Sequence, residues 1–204
     1  MLKQSFATAH QTVTISTTNR GETLEQLLHE EAFSKTTPVF AEQVHGALVT
    51  VVHDAITEPL PAADGMITKN PNLTLVIRHA DCLPIIFWHD SGVFGALHAG
   101  RKSTVAGITP NALNVLESEF GITENVQFWF GPAICKKCYQ IDRESDKHFD
   151  LASENSEQID TWFAQRSNTI HTSDICTLCS NNQFYSYRGD GSNTTMNYTA
   201  VQLH

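Results

Sequence analysis

The segment TLVIRHADCLPIIFW (Thr74–Trp88) decides how the chain folds, because it places a short polar stretch between two apolar runs. Leu73–Ile77 and Ile85–Trp88 are continuous apolar runs, which are typical of strands buried on both faces. The connection Arg78–Cys82 holds a guanidinium, an imidazole, a carboxylate and a thiol. A loop that only had to turn would use Gly and Asn, so this connection is a candidate for chemistry.

Working outward, alternating or apolar runs predict several more strands, and helical periodicity predicts three helices. Turns are predicted at Ala63–Gly65 and Asp90–Gly92. Strands and helices do not alternate as regular βαβ units, so we predict one α/β or α+β domain over residues 1–204, with mixed β-sheets flanked by helices. The further predicted strands are Thr12–Ser16, Ala47–Val52, Met66–Thr68, Val93–Leu97, Val126–Phe130 and Gln183–Tyr187. The predicted helices are Glu22–Phe33, Ser103–Phe120 with a kink or restart at Thr109-Pro110, and Ser156–Arg166.

Composition excludes several classes of function. The 204 residues are 41% hydrophobic, which is enough for a core, and carry a formal charge of −9. No basic run is present, so we expect neither nucleic acid nor an anionic membrane surface as a partner. No secretory signal or membrane-spanning run is visible, so we expect a cytoplasmic protein that is a monomer or a homodimer.

Three candidate metal ligands lie where predicted strands begin or end. His45 precedes the strand Ala47–Val52, Cys82 lies between two strands, and His98 ends another. Two imidazoles and a thiolate suit zinc, and a three-ligand site keeps a fourth position open for water or substrate. Two alternatives remain at this point: Cys82 is an ordinary buried side chain among ordinary histidines, or it is a nucleophile activated by His98 or His79.

The other four cysteines form two Cys-x-x-Cys pairs, Cys135/Cys138 and Cys176/Cys179. Such pairs are able to close a structural zinc site, although the gap between them is wider than in a zinc ribbon. Buried free thiols and one redox-labile pair are the alternatives. An odd total of five cysteines, without a secretory signal, argues against a disulfide scaffold.

Seven short motifs together resemble one known family, the YfiH-type laccase-domain family. Its members were first described as multicopper polyphenol oxidases and are now regarded as purine nucleoside phosphorylases with a nucleoside deaminase side activity. The family fold is one α/β domain with mixed sheets, similar to toxin-type Cys-His deamidases. The matching motifs are QVHG (43–46), ADG (63–65), ADCLPI (80–85), GALHAG (95–100), GPAI (131–134), CYQI (138–141) and FYSYRGDG (184–191).

The resemblance implies a function and a ligand set. In the family, the residues that correspond to His45, Cys82 and His98 hold zinc. The implied enzyme is a zinc-dependent phosphorylase of adenosine, inosine or methylthioadenosine that uses phosphate and has an adenosine deaminase side activity. Copper is less favoured, because the chain lacks the several His-x-His pairs of a multicopper centre. A Cys-His or metal-assisted hydrolase or deaminase, and a non-catalytic nucleoside-binding protein, are the alternatives.

Further site residues follow from the same motifs. Asp81 is a candidate for orienting a ligand or accepting a proton, and its alternative role is to cap a turn. Arg78, Arg101 and Arg188 are candidates for binding phosphate, for which arginine is geometrically suited. The chain departs from the family at Ala9 and at Gly189, where arginines are usual, and at Arg101–Ser103, where Trp-Arg-Gly is usual. Arg101 or Lys102 would have to compensate for the missing charge.

The resemblance also covers Cys138, Cys176 and Cys179, whereas Cys135 stands where the family usually has Gly. A separate structural zinc is therefore less necessary. We predict that these four cysteines contribute to packing and stability and not to the chemistry.

Overall fold

The computed structural model describes residues 1–204 and contains thirteen strands and five α-helices. The strands are β1 (Leu2–Ala7), β2 (Thr12–Thr17), β3 (Thr37–Phe40), β4 (Leu48–Val51), β5 (Ala63–Thr68), β6 (Leu73–His79), β7 (Leu83–Trp88), β8 (Phe94–Ala99), β9 (Val126–Phe130), β10 (Gln140–Asp142), β11 (Lys147–His148), β12 (Asn168–Thr172) and β13 (Asn197–Leu203). The helices are α1 (Leu24–Leu28), α2 (Arg101–Val105), α3 (Ile108–Phe120), α4 (Leu151–Phe163) and α5 (Tyr187–Asp190).

Two large mixed sheets form the centre of the molecule. The first has the strand order β1-β2-β13-β6-β3, and the second has the order β12-β9-β7-β8-β5-β4. Each sheet contains parallel and antiparallel pairs: β3 runs parallel to β6, and β4 runs parallel to β5, whereas β7 pairs antiparallel with β8 and β9. The predicted single domain of mixed α+β class is confirmed.

The hydrophobic core lies in layers on both faces of the second sheet. Ile86 and Trp88 of β7 belong to the cluster that also contains residues of the first sheet, so this cluster fills the space between the sheets. Ile85 and Phe87 point the other way and pack with apolar residues of α3 and α4. Burial of both faces explains why the apolar runs of this sheet are continuous and not alternating.

The helices on the outer face are tied to one another by a buried amide. Asn155 on α4 donates to the Thr104 hydroxyl on α2 at 3.0 Å and accepts from the Thr109 hydroxyl on α3 at 2.6 Å. This arrangement fixes α2, which begins directly after β8, against the longer helices.

None of the helices has the length and apolar character that crossing a bilayer requires.

Three local predictions were wrong, and each has a physical reason. Ala63–Gly65 is not a turn but the start of β5, because Asp64 finds buried hydrogen-bond partners there. The second predicted helix does not begin at Ser103: α2 begins two residues earlier, after Gly100, and Ser103 is buried within it. Gln183–Tyr187 is not a strand, because Phe184 turns back on Ser180 and Ser186 caps the short helix α5.

Several boundaries also differ from the predictions. The first helix covers only Leu24–Leu28, and the last long helix begins at Leu151, where Asp150 caps it. The break expected near Thr109-Pro110 is confirmed, since Gly107 separates α2 from α3. The sequence analysis missed β1, β3, β10, β11, β12 and β13, which are very short or contain many polar residues and so have weak periodicity.

Candidate metal centre and substrate pocket

A buried carboxylate organises one edge of the second sheet. Asp64 on β5 is fully buried, and both of its oxygens accept hydrogen bonds. Oδ1 accepts from the backbone N–H of His45 at 3.0 Å and from Nδ1–H of His98 at 2.9 Å. Oδ2 accepts from the backbone N–H of Gly46 at 2.7 Å. Asp64 therefore fixes one histidine through its ring and the other through its backbone.

The three predicted ligands converge at this edge. Donor atoms of His45, Cys82 and His98 all lie within 4.8 Å of one another. Because the Nδ1–H of His98 is held by Asp64, its Nε2 is the nitrogen left to bind a metal. The Cys82 Sγ lies 3.9 Å from the His45 Nε2, and the two imidazole rings meet edge to face at 4.8 Å. One thiolate and two imidazoles at this spacing fit a single divalent ion.

A glycine makes room for this cluster. A Cβ atom at Gly100 would lie 2.9 Å from the Cys82 Sγ and 3.2 Å from the His45 ring. Contacts this short would displace the thiol or the ring. The glycine after His98-Ala99 is therefore part of the site, because it leaves the space in which the thiol and the imidazole meet.

Three of the eight non-glycine residues with a positive φ angle lie around the same cluster. Gln43, His45 and Asp81 have φ angles of 60°, 62° and 87°, in the left-handed region that most residues avoid. Gln43 is held by a reciprocal pair of hydrogen bonds with the backbone of Arg78, at 2.6 and 2.9 Å. His45 is held by Asp64. Such strain persists only where the surrounding contacts enforce it, and it is common at functional sites.

The electrostatics favour a thiolate beside a charged imidazole. Burial raises the pKa of Cys82, but hydrogen bonds with His45 and His98 outweigh it and lower that pKa to about 7. Burial lowers the pKa of His98, but its hydrogen bonds with Asp64 and Cys82 raise that pKa to about 9. In the metal-free protein the two groups therefore stabilise each other as an ion pair, and the thiolate is the form that binds metal.

His79 does not share in this arrangement. It is buried, and its Nε2 is hydrogen-bonded to the Thr199 hydroxyl at 2.9 Å. Burial, followed by the positive charge of His98, lowers the pKa of His79 to about 3, so its imidazole stays neutral. His98 and His45, and not His79, are the histidines that contact Cys82.

The cluster opens into a cavity of about 740 Å³, within the range of small-molecule sites. All three predicted arginines line it, and so does Lys102. Asp81 is the only carboxylate in the lining. A chain with a net charge of −9 thus presents a cavity with excess positive charge, which concentrates anions there. The remaining lining includes Gln43, Tyr139, Gln140, Ile141, Tyr187 and Met196.

Asp81 holds the wall of this cavity together. Its Oδ1 accepts from the Thr177 hydroxyl at 2.6 Å, and its Oδ2 accepts from the backbone N–H of Arg188 at 2.7 Å. Its backbone carbonyl accepts from the N–H of Ile134 at 3.0 Å. Because both carboxylate oxygens are engaged by the protein, the geometry favours a positioning role over proton transfer.

Two of the arginines are themselves held in place. Arg188 donates from its guanidinium to the Gln140 carbonyl at 2.8 Å, and its Cζ lies 5.7 Å from the centre of the Tyr139 ring. Arg78 donates to the Glu42 carbonyl at 2.9 Å. Burial raises the pKa of Tyr139, so its phenol remains protonated and available as a donor at the cavity wall.

The sequence analysis missed Asp64 and Tyr139 as site residues. Asp64 was visible only as part of a short motif that also predicts a turn. Tyr139 belongs to the CYQI motif, but nothing in its spacing shows that it faces the cavity. The four late cysteines do not line the cavity. They form a second cluster, in which all four Sγ atoms lie within 4.8 Å of one another.

We predict that Asp64→Asn weakens metal binding at His45, Cys82 and His98. The amide would present a donor or a weaker acceptor where two backbone N–H groups and an imidazole N–H now donate. Loss of a partner that orients a ligand typically costs about 10–100-fold in metal affinity. Competition with a chromophoric chelator measures the change. Asp160→Asn, at an exposed site on α4, is the control, and equal affinity in Asp64→Asn and wild type would contradict the role of Asp64.

We also predict a pH dependence for the thiol in the metal-free protein. Since the pKa of Cys82 is lowered to about 7, alkylation of Cys82 should reach half of its maximal rate near that pH. An ordinary cysteine reaches this point at about pH 8.5. Between these two pKa values the Cys82 thiolate and the His98 imidazolium are both charged, and their attraction adds to the free energy of unfolding. This contribution is lost as pH falls through about 7, where the thiolate is protonated, or rises through about 9, where the imidazolium loses its proton. Peptide mapping by mass spectrometry assigns the alkylated cysteine. A midpoint near 8.5 or above would contradict the pairing.

Comparison with known proteins agrees with the sequence motifs. Residues 16–204 match the family described as multi-copper polyphenol oxidoreductase laccase. The match begins at residue 16, so the departure from the family at Ala9 lies outside it. A purine nucleoside phosphorylase of Campylobacter jejuni is 30% identical over 174 residues, which are 80% of this chain and 75% of that protein. A purine nucleoside phosphorylase of Streptomyces coelicolor is 36% identical over 108 residues, covering 52% of this chain and 45% of that protein.

Solved structures share the fold. YlmD from Geobacillus stearothermophilus superimposes with a TM-score of 0.81 at 22% identity, over 95% of this chain and 92% of that one. YfiH from Bacillus licheniformis superimposes with a TM-score of 0.80 at 22% identity, over 93% of this chain and 92% of that one. The family match over most of the chain, together with this shared fold, shows that the chain belongs to the YfiH-type laccase-domain family.

Proposed function

We propose that the protein is a zinc-dependent purine nucleoside phosphorylase acting on adenosine, inosine or methylthioadenosine. One observation carries the proposal: the cluster of His45, Cys82 and His98 opens into the cavity that four cationic side chains line. Phosphorolysis requires a site that binds the phosphate anion next to the nucleoside, and a metal centre beside that site would supply a Lewis acid to orient or polarise a reactant. The names of the relatives in Campylobacter jejuni and Streptomyces coelicolor support the same reaction.

The donor set favours one zinc ion over a multicopper centre. Two imidazoles and one thiolate make a mononuclear, three-ligand site with an open fourth position. Several copper ions would need more imidazole ligands at this edge than His45 and His98 provide. When bound, zinc supplies a Lewis acid that polarises an oxygen or nitrogen atom of a reactant.

The reaction exchanges one bond at the anomeric carbon of ribose. A phosphate oxygen forms a bond to this carbon while the glycosidic C–N bond breaks, and the bonding electrons leave with the purine. The products are the sugar 1-phosphate, which keeps any 5′ substituent of the nucleoside, and a purine base that takes up a proton. Positive charge develops on the sugar in the transition state, so the protein's task is to hold phosphate and sugar in line and to exclude water.

The cavity residues are arranged for this task. Arg101 and Lys102 begin the helix that follows His98-Ala99-Gly100, and both line the cavity. With Arg78 and Arg188 they supply the charge that phosphate binding requires, which compensates for the departures from the family pattern. Tyr187, an exposed aromatic side chain in the lining, offers a ring on which a purine base can stack.

Deamination is a second reaction that the same site favours. The observation behind it is the three-residue donor set of His45, Cys82 and His98, which would hold a metal able to activate water, so that water and not phosphate would be the nucleophile. Attack of water on a purine carbon that carries an amino group releases ammonia and leaves an oxo group. This reaction does not consume phosphate, so the dependence of turnover on phosphate distinguishes the two activities. A covalent Cys82 nucleophile is distinguished by the experiment that follows.

We predict that Cys82→Ala lowers metal content by about one ion per chain and abolishes phosphate-dependent release of base. A methyl group cannot replace a thiolate ligand, and the two remaining histidines make a weak site. Elemental analysis measures the metal. Chromatography measures the base released from adenosine, inosine and methylthioadenosine, with and without phosphate.

The outcomes separate the possible roles of Cys82. An inactive Cys82→Ala protein with an unchanged metal content would mean that Cys82 is a covalent nucleophile and would contradict the proposal. Base release or ammonia release that does not depend on phosphate would favour hydrolysis or deamination. A wild-type protein that holds metal and binds nucleoside without turnover would make it a binding protein. Val105→Ala, a truncation at an exposed position outside the cavity and outside both cysteine-containing clusters, is the control.

We predict that Arg101→Gln raises the KM for phosphate about tenfold or more and changes the KM for nucleoside less. The reason is the loss of one charge-assisted hydrogen bond at the cavity, which is worth about 1.5–3 kcal/mol. Steady-state kinetics with phosphate and nucleoside varied separately measures both constants. Lys69→Gln, at an exposed position outside the cavity, is the matched control. An unchanged KM for phosphate in Arg101→Gln would contradict a phosphate role for this side chain.

A further inference from the structure

A second cluster of metal-binding side chains lies outside the cavity. The pairs Cys135/Cys138 and Cys176/Cys179 are about forty residues apart in sequence, yet all four Sγ atoms lie within 4.8 Å of one another. None of these cysteines lines the cavity or contacts the His45, Cys82 and His98 centre. We call them the four-cysteine cluster.

The spacing of the sulfur atoms fits a tetrahedral ion. A zinc–sulfur bond of about 2.3 Å places tetrahedral sulfur ligands about 3.8 Å apart. The Sγ atoms of Cys138 and Cys179 are 3.4 Å apart, and every pair lies within 4.8 Å. The expected value thus lies between the 3.4 Å separation of that pair and the 4.8 Å limit that holds for all pairs. All four cysteines are free thiols in the structure.

The backbone around the cluster is shaped to hold a thiolate at Cys176. The N–H groups of Cys135 and Cys179 both donate to the Cys176 Sγ, at 3.3 and 3.4 Å. Hydrogen bonds of this kind stabilise the charged form of an acceptor, and a thiolate is the form that binds metal. Four thiolates around a divalent ion carry a net charge of −2. Lys136 and Lys137 lie between the first two ligands, both exposed, where they offset this charge.

The two cysteine pairs are held on turns that are joined to each other. A 3₁₀ turn over Lys136–Cys138 brings the first pair together. The second pair is turned by the hydrogen bond from the Ser180 N–H to the Cys176 carbonyl at 2.9 Å. A short parallel bridge between Ala133 and Cys176 joins the two segments. The ligand positions are thus set by the backbone and not by flexible side chains alone.

The position of the cluster shows what a metal there would do. Tyr139 and Gln140, which line the cavity, directly follow Cys138. Thr177, which donates to Asp81 at 2.6 Å, lies between Cys176 and Cys179. Residues 131–150 contain only a 3₁₀ turn and two very short strands, so few ladder hydrogen bonds fix this part of the cavity wall. A metal bound to the four cysteines would hold the segments around Cys138 and Cys176 in place, since little regular secondary structure does so.

We propose that the four-cysteine cluster is a structural tetrathiolate site for a zinc-class divalent ion, separate from the centre formed by His45, Cys82 and His98. All four coordination positions are filled by protein, so no position is open to substrate. The ion fastens the wall that carries Tyr139 and Thr177. This inference does not depend on which reaction the cavity performs.

The test is a metal count on variants that separate the two centres. Proteins are expressed in rich medium, purified without chelator, desalted, and analysed for zinc per chain. We expect about two ions in the wild type and one in Cys82→Ala. We also expect one in the double variant Cys135→Ser/Cys138→Ser, and none when all three substitutions are combined. In Cys82→Ala, cobalt substitution should give the strong sulfur-to-metal charge-transfer absorption of a tetrathiolate, and a chelator should lower the Tm.

Several results would overturn the site. A Cys82→Ala protein without metal, or a double variant with as much zinc as the wild type, would show that the four cysteines hold none. Mass spectrometry of the untreated protein that shows a disulfide among them would make the cluster a redox pair. If the double variant does not fold, Cys179→Ser replaces it, since this side chain is exposed. Unchanged zinc content in Cys179→Ser, with an unchanged Tm, would contradict the proposal.

Discussion

The buried carboxylate of Asp64 is the constraint on which the site depends. A carboxylate removed from water is tolerated only when its oxygens are hydrogen-bonded, and here two backbone N–H groups and one imidazole N–H meet that need. Meeting it fixes the loop at His45, the ring of His98 and the pairing of β5 with β8 at once. The cost of burying the charge is thus linked to the geometry of the metal centre: without the Gly46 N–H, Oδ2 would have no donor, and Oδ1 depends on the N–H groups of His45 and His98.

Charge is distributed in this molecule so that the cavity differs from the rest of the surface. The chain as a whole carries a net charge of −9. The cavity lining, in contrast, has three arginines and one lysine against a single carboxylate. That carboxylate, Asp81, is used by the protein itself, because it accepts from Thr177 and Arg188. An anion entering the cavity therefore meets positive charge without a competing free carboxylate. The same bonds place the wall that carries the guanidinium of Arg188.

Much of the fold could be predicted from the sequence, because burial on both faces gives the central strands continuous apolar runs. The edge strands β1 and β12 could not, since their residues are half-exposed and their pattern is shared with loops. Motifs identified the ligands His45, Cys82 and His98, but local sequence carries no information about the partner of a buried group. Asp64 was therefore misread as part of a turn. It lies 19 positions from His45 and 34 from His98, so its role as their hydrogen-bond partner is recognised only once the sheet brings the three residues together.

Anomalous diffraction at the zinc absorption edge, from crystals grown without chelator, tests the central claim most directly. The account predicts a strong peak bounded by the Cys82 Sγ, the His98 Nε2 and the His45 ring, with the Nδ1–H of His98 still donating to Asp64. It predicts an open side of the ion that faces the cavity lined by the arginines. A fully ordered site without a peak there, or an ion held by other residues while these three stay free, would contradict it.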